Sequence, residues 1–250
     1  MPPIIGAGPC GTIRRVRATA SRPAAGAALA AGAAWSLPAL APLVPSLCRP
    51  LGIARTLPGD DPAVALTFDD GPHPRGTPAV LEALAAADAR ATFFLVGEQV
   101  RRAPALAAEI VAAGHAVALH GDRHVLQLRL PPRTLARDLD AGHATIAEAT
   151  GVAPRHYRPP YGIFSPAGLA LVRRRGWAPL LWSRWGHDWR LHRAPGQIAA
   201  ELTERLAPGD VLLLHDADHY SQPGSWQRTA AALPAVLAEI ERRGLRTAAP

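Results

Sequence analysis

From residue 62 onward, short apolar runs alternate with longer stretches in which apolar residues recur every three to four positions. The short runs predict buried strands over 64–68, 91–96, 116–119, 155–158, 179–183, 211–214 and 245–248. The longer stretches predict helices over 77–87, 98–113, 132–149, 195–206 and 226–243. A further helix opens at Ser165-Pro166, with Ser165 as its cap and Pro166 at its first position. In the 132–149 stretch, Leu135, Leu139 and Ile146 share one face. Gly244 closes the last helix. Such alternation predicts an α/β fold built on a parallel sheet of about seven strands. The absence of a Gly-rich nucleotide fingerprint favours a (β/α) barrel over an open sheet.

Residues 1–60 do not follow this pattern. Arg14, Arg15, Arg17 and Arg22 precede an Ala/Gly/Leu-rich stretch over 24–47 that Pro38, Pro42 and Pro45 interrupt. A basic segment followed by an apolar one suits an export signal or a weak membrane anchor, and the prolines argue against a spanning helix. A flexible Ala/Pro-rich leader is the alternative. The expected division is therefore a leader over 1–60 and one domain over 61–250. The expected location is secreted or envelope-associated, or cytoplasmic if the leader is not a signal. Charge supports the division. The net charge is +7, and the first 60 residues carry six arginines against one acid. The remainder is nearly balanced, so no basic face is expected on the domain and no nucleic-acid partner. A hydrophobic content of 48% allows a substantial core. Cys10 and Cys48 both lie near the N-terminus, so the domain carries no thiolate chemistry.

Polar residues collect just after the apolar runs. Asp69 and Asp70 follow the first, and His120 and His124 the third. Arg158 and Tyr161 follow the fourth, Asp188 and Trp189 the fifth, His215 and Asp216 the sixth. In a parallel barrel the loops after the strand C-termini gather on one face, and that face carries the active site. Asp69-Asp70-Gly71-Pro72 alone reads equally well as an acidic turn. Adjacent strand residues point to opposite sides, so the two acids can serve different tasks; spacing leaves open which does which. His120 and His124, four apart, share a face on a helical turn. With one of the two carboxylates they form a His₂Asp set suited to zinc or another divalent transition cation. The other carboxylate is then placed to take a proton from water, and His215 to protonate a leaving group.

These residues carry a resemblance. Thr67-Phe68-Asp69-Asp70-Gly71-Pro72, His120-x₃-His124, Arg158-Pro159-Pro160-Tyr161, Asp188-Trp189 and Leu212-x₂-His215 occur in the order found in the polysaccharide deacetylases, the NodB-homology domains of carbohydrate esterase family 4. The resemblance covers about residues 62–248. It implies a distorted, TIM-barrel-like (β/α) barrel of about seven strands. It also implies a divalent cation, zinc first, with Co²⁺, Mn²⁺ or Ni²⁺ as alternatives. By motif, Asp70, His120 and His124 would be the metal ligands and Asp69 the base, held by Arg158. His215 would be the acid, paired with Asp188. The Tyr161 backbone N–H would stabilise an oxyanion, and Trp189 and Leu212 would line the substrate pocket. Two positions depart from the family pattern. Gly121 stands where Ser or Thr is usual, and Trp185 stands where an acid is frequent.

The function this implies is metal-dependent removal of N-acetyl, or O-acetyl, groups from glycans such as peptidoglycan or chitin-like oligomers. Hydrolysis of another non-peptide C–N bond is an alternative, as is a non-catalytic carbohydrate-binding envelope protein. The expected partner is a glycan containing N-acetylglucosamine, with membrane association only through the leader. Trp177 and Trp182 are expected in the core, and Trp189 in the pocket. His219 and Tyr220 lie in a polar loop that should rim the site.

Overall fold

The computed structural model describes residues 36–59 and 61–250. Its centre is β1 (Ala63–Asp69), buried along its whole length as its apolar run requires. On one side β1 pairs with β2 (Ala91–Leu95), which leads to β3 (Ala116–Leu119), β4 (His156–Tyr157) and β5 (Ala178–Pro179). On the other side it pairs with β7 (Val211–His215), flanked by β6 (Arg184–Trp185). The short β8 (Arg246–Thr247) pairs with the first residues of β1. All these pairings are parallel. Seven strands thus form a curled sheet, a half-barrel with an eighth short strand beside its centre, in agreement with the α/β barrel expected from the sequence.

The connections are helical: α1 (Gly76–Ala86), α2 (Gly97–Arg102), α3 (Pro104–Ala112), α4 (Pro132–Thr150), α5 (Pro166–Arg174), α6 (Pro195–Thr203) and α7 (Ser225–Arg242). Four of them begin with proline, whose fixed φ and missing N–H cost nothing at a first helical position. The Ser165 hydroxyl accepts the Gly168 N–H at 3.0 Å, so α5 is capped as expected.

Two elements differ from the sequence expectation. The helix over 98–113 is broken into α2 and α3. Pro104 lacks an N–H and disfavours helical geometry at Ala103, which adopts φ −141°, ψ 61°. The strand over 179–183 is instead a bridge between the two ends of the sheet. β5 pairs with β4 and β6 with β7, and residues 180–183 join them. The carbonyls in this gap bond elsewhere, those of Leu180 and Leu181 to Arg158 and that of Trp182 to Arg55.

The domain boundary is also corrected. The packed body begins before residue 61, because Ala41, Cys48 and Ile53 are buried in the core. Ala54 forms a parallel bridge with Leu180, Thr56 bridges Asp210, and the Leu57 N–H donates to the Gly209 carbonyl at 2.8 Å. Composition marked the segment as leader-like, but a few apolar side chains and backbone bonds suffice to tie it to the sheet. Residues 1–35, with the basic segment and the start of the apolar stretch, lie outside the described residues. Among the described residues no helix is long and apolar enough to cross a membrane. A truncation after residue 60 should therefore be less stable in urea unfolding than one after residue 35, by about 3–5 kcal/mol, given the apolar burial it removes. Equal stabilities would contradict the packing of residues 41–57.

Candidate active site

The C-terminal end of β1 sets the site. Asp69 sits in register with His215 of β7, so both side chains leave the sheet at one level and on one side. Two residues earlier, Thr67 and Leu213 form the layer beneath. Asp70 would point away if the strand continued, but it takes φ 78°. That left-handed conformation costs about 1 kcal/mol, and it turns the second carboxylate towards the pocket. Both acids line a cavity of about 290 Å³ with His120, His124, Tyr161, Trp189 and His215.

Asp69 is held by Arg158. The guanidinium Nη1 donates to Asp69 Oδ1 at 2.6 Å and to Thr67 Oγ1 at 2.9 Å. Its Nε and Nη2 reach the Leu180 and Leu181 carbonyls at 3.2 and 2.9 Å. Its carbon lies 3.9 Å from the centre of the Phe94 ring. Arg158 is wholly buried, and this one side chain both fixes the acid and closes the gap between β5 and β6.

Asp70 faces the two histidines. His120 Nε2 and His124 Nε2 lie 3.4 and 3.3 Å from Asp70 Oδ1. His120 Nδ1 lies 2.9 Å from the Arg158 carbonyl, which puts the proton on Nδ1 and leaves Nε2 a lone pair. Burial lowers the His124 pKa to about 4, with the neighbouring His120 and His215 adding to it and Asp70 opposing. Burial would raise the Asp70 pKa, but the facing imidazoles of His120, His215 and His124 outweigh it and hold the carboxyl well below the usual range. A carboxylate and two imidazoles therefore converge. Asp70 Oδ1 and His124 Nδ1 are buried without a hydrogen-bond partner among the described residues. A buried carboxylate oxygen with no donor is costly, and a cation is what would satisfy it. The donor set fits a divalent transition cation.

His215 stands across the cavity. Asp188 Oδ1 lies 2.9 Å from its Nδ1, and Asp188 Oδ2 accepts both the His215 N–H at 2.7 Å and the Thr229 hydroxyl at 2.7 Å. Burial alone would lower the His215 pKa. The Asp188 charge and hydrogen bond, joined by Asp70 and Asp69, outweigh it and push it up to about 10. The next residue, Asp216, is fully buried beneath Gly71 and accepts from the Thr77 hydroxyl, which in turn accepts the His73 N–H at 2.8 Å. Burial raises its pKa to about 7. This chain ties the loop after β1 to the end of β7.

Gly121 takes φ 94°, a conformation that disfavours the Ser or Thr of the family pattern. The histidine loop is braced from outside. Asp138 of α4 accepts the Asp122 N–H at 3.2 Å and Arg123 Nε at 3.0 Å, and Arg101 forks onto Asp122 at 2.5 and 3.0 Å.

One wall of the pocket is aromatic. Trp185 lies between Trp182 and Trp189, with centroid distances of 5.6 and 5.5 Å, and Trp189 meets His215 edge-on at 5.3 Å. Trp182, expected in the core, is buried and also lines the cavity. Leu212 is the expected site residue that the structure does not bring to the pocket. It pairs with Leu66, faces away from the cavity and is fully buried, and Leu213 lines the pocket in its place. Strand alternation from His215 could have found Leu213, and alternation from Asp69 could have found Thr67. Tyr220 rims the site as expected, and Ser221 beside it was missed. A second His/Asp group, His73 with Asp218 and His219, is not a comparable metal site. His73 Nδ1 accepts the N–H groups of Arg75 and Gly76 at 3.2 and 2.8 Å, so Nε2 carries the proton and faces Asp218 Oδ1 at 3.2 Å.

Comparison with known proteins agrees with this geometry. The family model for polysaccharide deacetylase matches residues 56–179. A peptidoglycan-N-acetylglucosamine deacetylase of Bacillus cereus is 32% identical over 192 residues, covering 76% of this chain and 87% of that protein. The chain belongs to the polysaccharide deacetylase family. A chitooligosaccharide deacetylase of Azorhizobium caulinodans is 31% identical over 201 residues, covering 78% and 95% of the two chains. The crystal structure of a peptidoglycan N-acetylglucosamine deacetylase, bound to a naphthyl N-hydroxybenzamide, superposes with a TM-score of 0.75 at 26% identity, covering 81% of this chain and 92% of that one. The half-barrel is thus the family fold.

Two outcomes follow. Arg158→Leu leaves a buried carboxylate unpaired and should destabilise the protein by about 3–5 kcal/mol in chemical unfolding. A loss below 1 kcal/mol would contradict the burial of the pair. The second concerns pH. The His215 pKa is higher folded than unfolded, so the stability gained by protonating it is complete below about pH 6.5 and is lost as pH rises towards 10. In metal-free protein the stability gap between wild type and Asp188→Asn should narrow over that interval. A constant gap would refute the coupling.

Proposed function

We propose that this chain is a metal-dependent deacetylase that removes acetyl groups from N-acetylated glycans, with N-acetylglucosamine polymers or oligomers as the substrate class. The observation that carries the reading is the convergence on one cavity of a Asp70/His120/His124 group, an Arg158-held carboxylate and an Asp188-held imidazole. The names of its relatives, which act on peptidoglycan and chitooligosaccharides, support the same substrate class.

Asp70, His120 and His124 would hold the divalent cation, zinc being the first choice for two imidazoles and a carboxylate. Bound there, a cation supplies Lewis-acid polarisation of an acyl carbonyl and acidifies water beside it. Asp69, oriented by Arg158, takes the proton of the attacking water as its oxygen adds to the carbonyl carbon. The Tyr161 backbone N–H is assigned to the developing oxyanion; Tyr161 takes φ 62° in the turn Pro160–Gly162 beside His124. His215, protonated through its contact with Asp188, gives its proton to the amide nitrogen as the C–N bond breaks. Acetate and a free amine leave. Leu213 and the Trp182/Trp185/Trp189 wall offer apolar surface to the acetyl methyl and the sugar face.

Acetate release from N-acetylglucosamine oligomers, peptidoglycan and acetylated xylan, with metal removed and restored, tests the reading. Release should depend on metal and fall by about 10²–10⁴ in Asp69→Asn and in His215→Ala. No release from any of the three with metal restored would sink it. In addition, His120→Ala should bind less than one equivalent of zinc in equilibrium dialysis, and full occupancy would remove His120 from the ligand set.

A further inference from the structure

The two imidazoles that face Asp70 are held in different ways. His120 is oriented by the bond between its Nδ1 and the Arg158 carbonyl. His124 has no such support. Its Nδ1 is buried and has no hydrogen-bond partner among the described residues. Histidines that bind metals are ordinarily fixed through the second ring nitrogen, which sets both tautomer and ring plane. At His124 that constraint must come from packing.

The packing is specific. The Tyr220 ring lies face to face with the His124 ring, with centroids 4.2 Å apart and planes 9° apart. Tyr161 meets the imidazole edge-on at 4.6 Å and 66°. Tyr220 is itself tied down, since its hydroxyl donates to Glu98 Oε1 and accepts from Gln99 Nε2, the latter at 2.8 Å. Glu98 and Gln99 belong to α2, whose first N–H groups also hold the histidine loop. Gly97 N–H donates to the Gly121 carbonyl at 3.0 Å, and Glu98 N–H to the Asp122 carbonyl at 2.8 Å. One helix end therefore anchors both the loop that carries His124 and the tyrosine that faces it. Gly121, with no side chain, joins this bracing through its backbone carbonyl alone.

We propose that Tyr220 is a positioning residue for His124. Its stacked ring, tethered to Glu98 and Gln99, fixes the imidazole plane in which Nε2 points at Asp70 Oδ1. The inference rests on the reading of Asp70, His120 and His124 as the cation-binding group.

The test uses full-length protein, Zn²⁺ affinity by chelator competition and the visible absorption spectrum of the Co²⁺-substituted form. Tyr220→Ala should weaken Zn²⁺ binding about tenfold, the lower end of the usual loss when support of a metal ligand is removed. It should also change the Co²⁺ spectrum, which reports ligand geometry directly. Tyr220→Phe keeps the ring and loses only the tether, so it should recover most of the affinity and the wild-type spectrum. Far-ultraviolet circular dichroism of each variant checks that it is folded. Wild-type affinity and spectrum in Tyr220→Ala, with only KM raised, would make Tyr220 a plain substrate wall and overturn the proposal. A Tyr220→Phe variant as weak as Tyr220→Ala would also overturn it, because the stack would then not be the positioning contact. His124→Ala serves as the reference. If it binds Zn²⁺ as tightly as wild type, the ligand assignment falls and the proposal with it; if it loses Zn²⁺ while both Tyr220 variants keep it, only the proposal falls.

Discussion

A single buried guanidinium connects the architecture to the site. Arg158 cannot give up its charge, and no water reaches it, so each of its donors needs an acceptor. The protein supplies these acceptors from two places: Asp69 and Thr67 on the central strand, and the carbonyls of residues 180 and 181 between the two ends of the sheet. The curl of the sheet and the orientation of the acid are thus the same constraint. A lysine could not meet it, having one compact charge and no planar fork. The aromatic faces of Phe94 and Trp182 complete the cage.

Around this centre, environment separates groups that are chemically alike. His124 and His215 line one cavity, yet burial among like neighbours lowers the first to about 4, and Asp188 carries the second to about 10. One is suited to donate a lone pair and the other a proton. Two adjacent aspartates divide in the same way. Asp69 answers to an arginine and Asp70 to imidazoles, because Asp70 itself takes a left-handed conformation where the strand ends. Separated proton affinities of this kind are the usual condition for acid–base work in a small site.

The rim is held by ties between loops that are distant in sequence. The loop after β7 reaches back to Thr77 through Asp216 and to α2 through Tyr220. The loop after β3 is gripped by α2 and by Asp138 of α4, against which Gly142 allows close approach; a Cβ there would stand 2.7 Å from the Asp122 nitrogen. Rigidity that the family pattern assigns to a hydroxyl at position 121 is spread here over neighbouring helices.

The sequence by itself determined which residue types end which strands. Short apolar runs and apolar faces at helical period are local properties, so the strand–helix alternation, the proline-led helices and the polar strand ends could be read directly. From these came the barrel class, and motif resemblance added the roles of Asp69, Asp70, His120, His124, Arg158, Asp188 and His215. What the sequence misplaced depended on partners far along the chain. Residues 41–57 read as leader but bond to residues 180 and 209, and 179–183 reads as one strand although its carbonyls belong to Arg158 and Arg55. Leu212 and Leu213 are equally apolar, and only the register with β1 decides which faces the cavity. Local pattern fixes what a segment can be. Side-chain direction, proton affinity and closure of the sheet are set by contacts between segments, and only the tertiary structure supplies those.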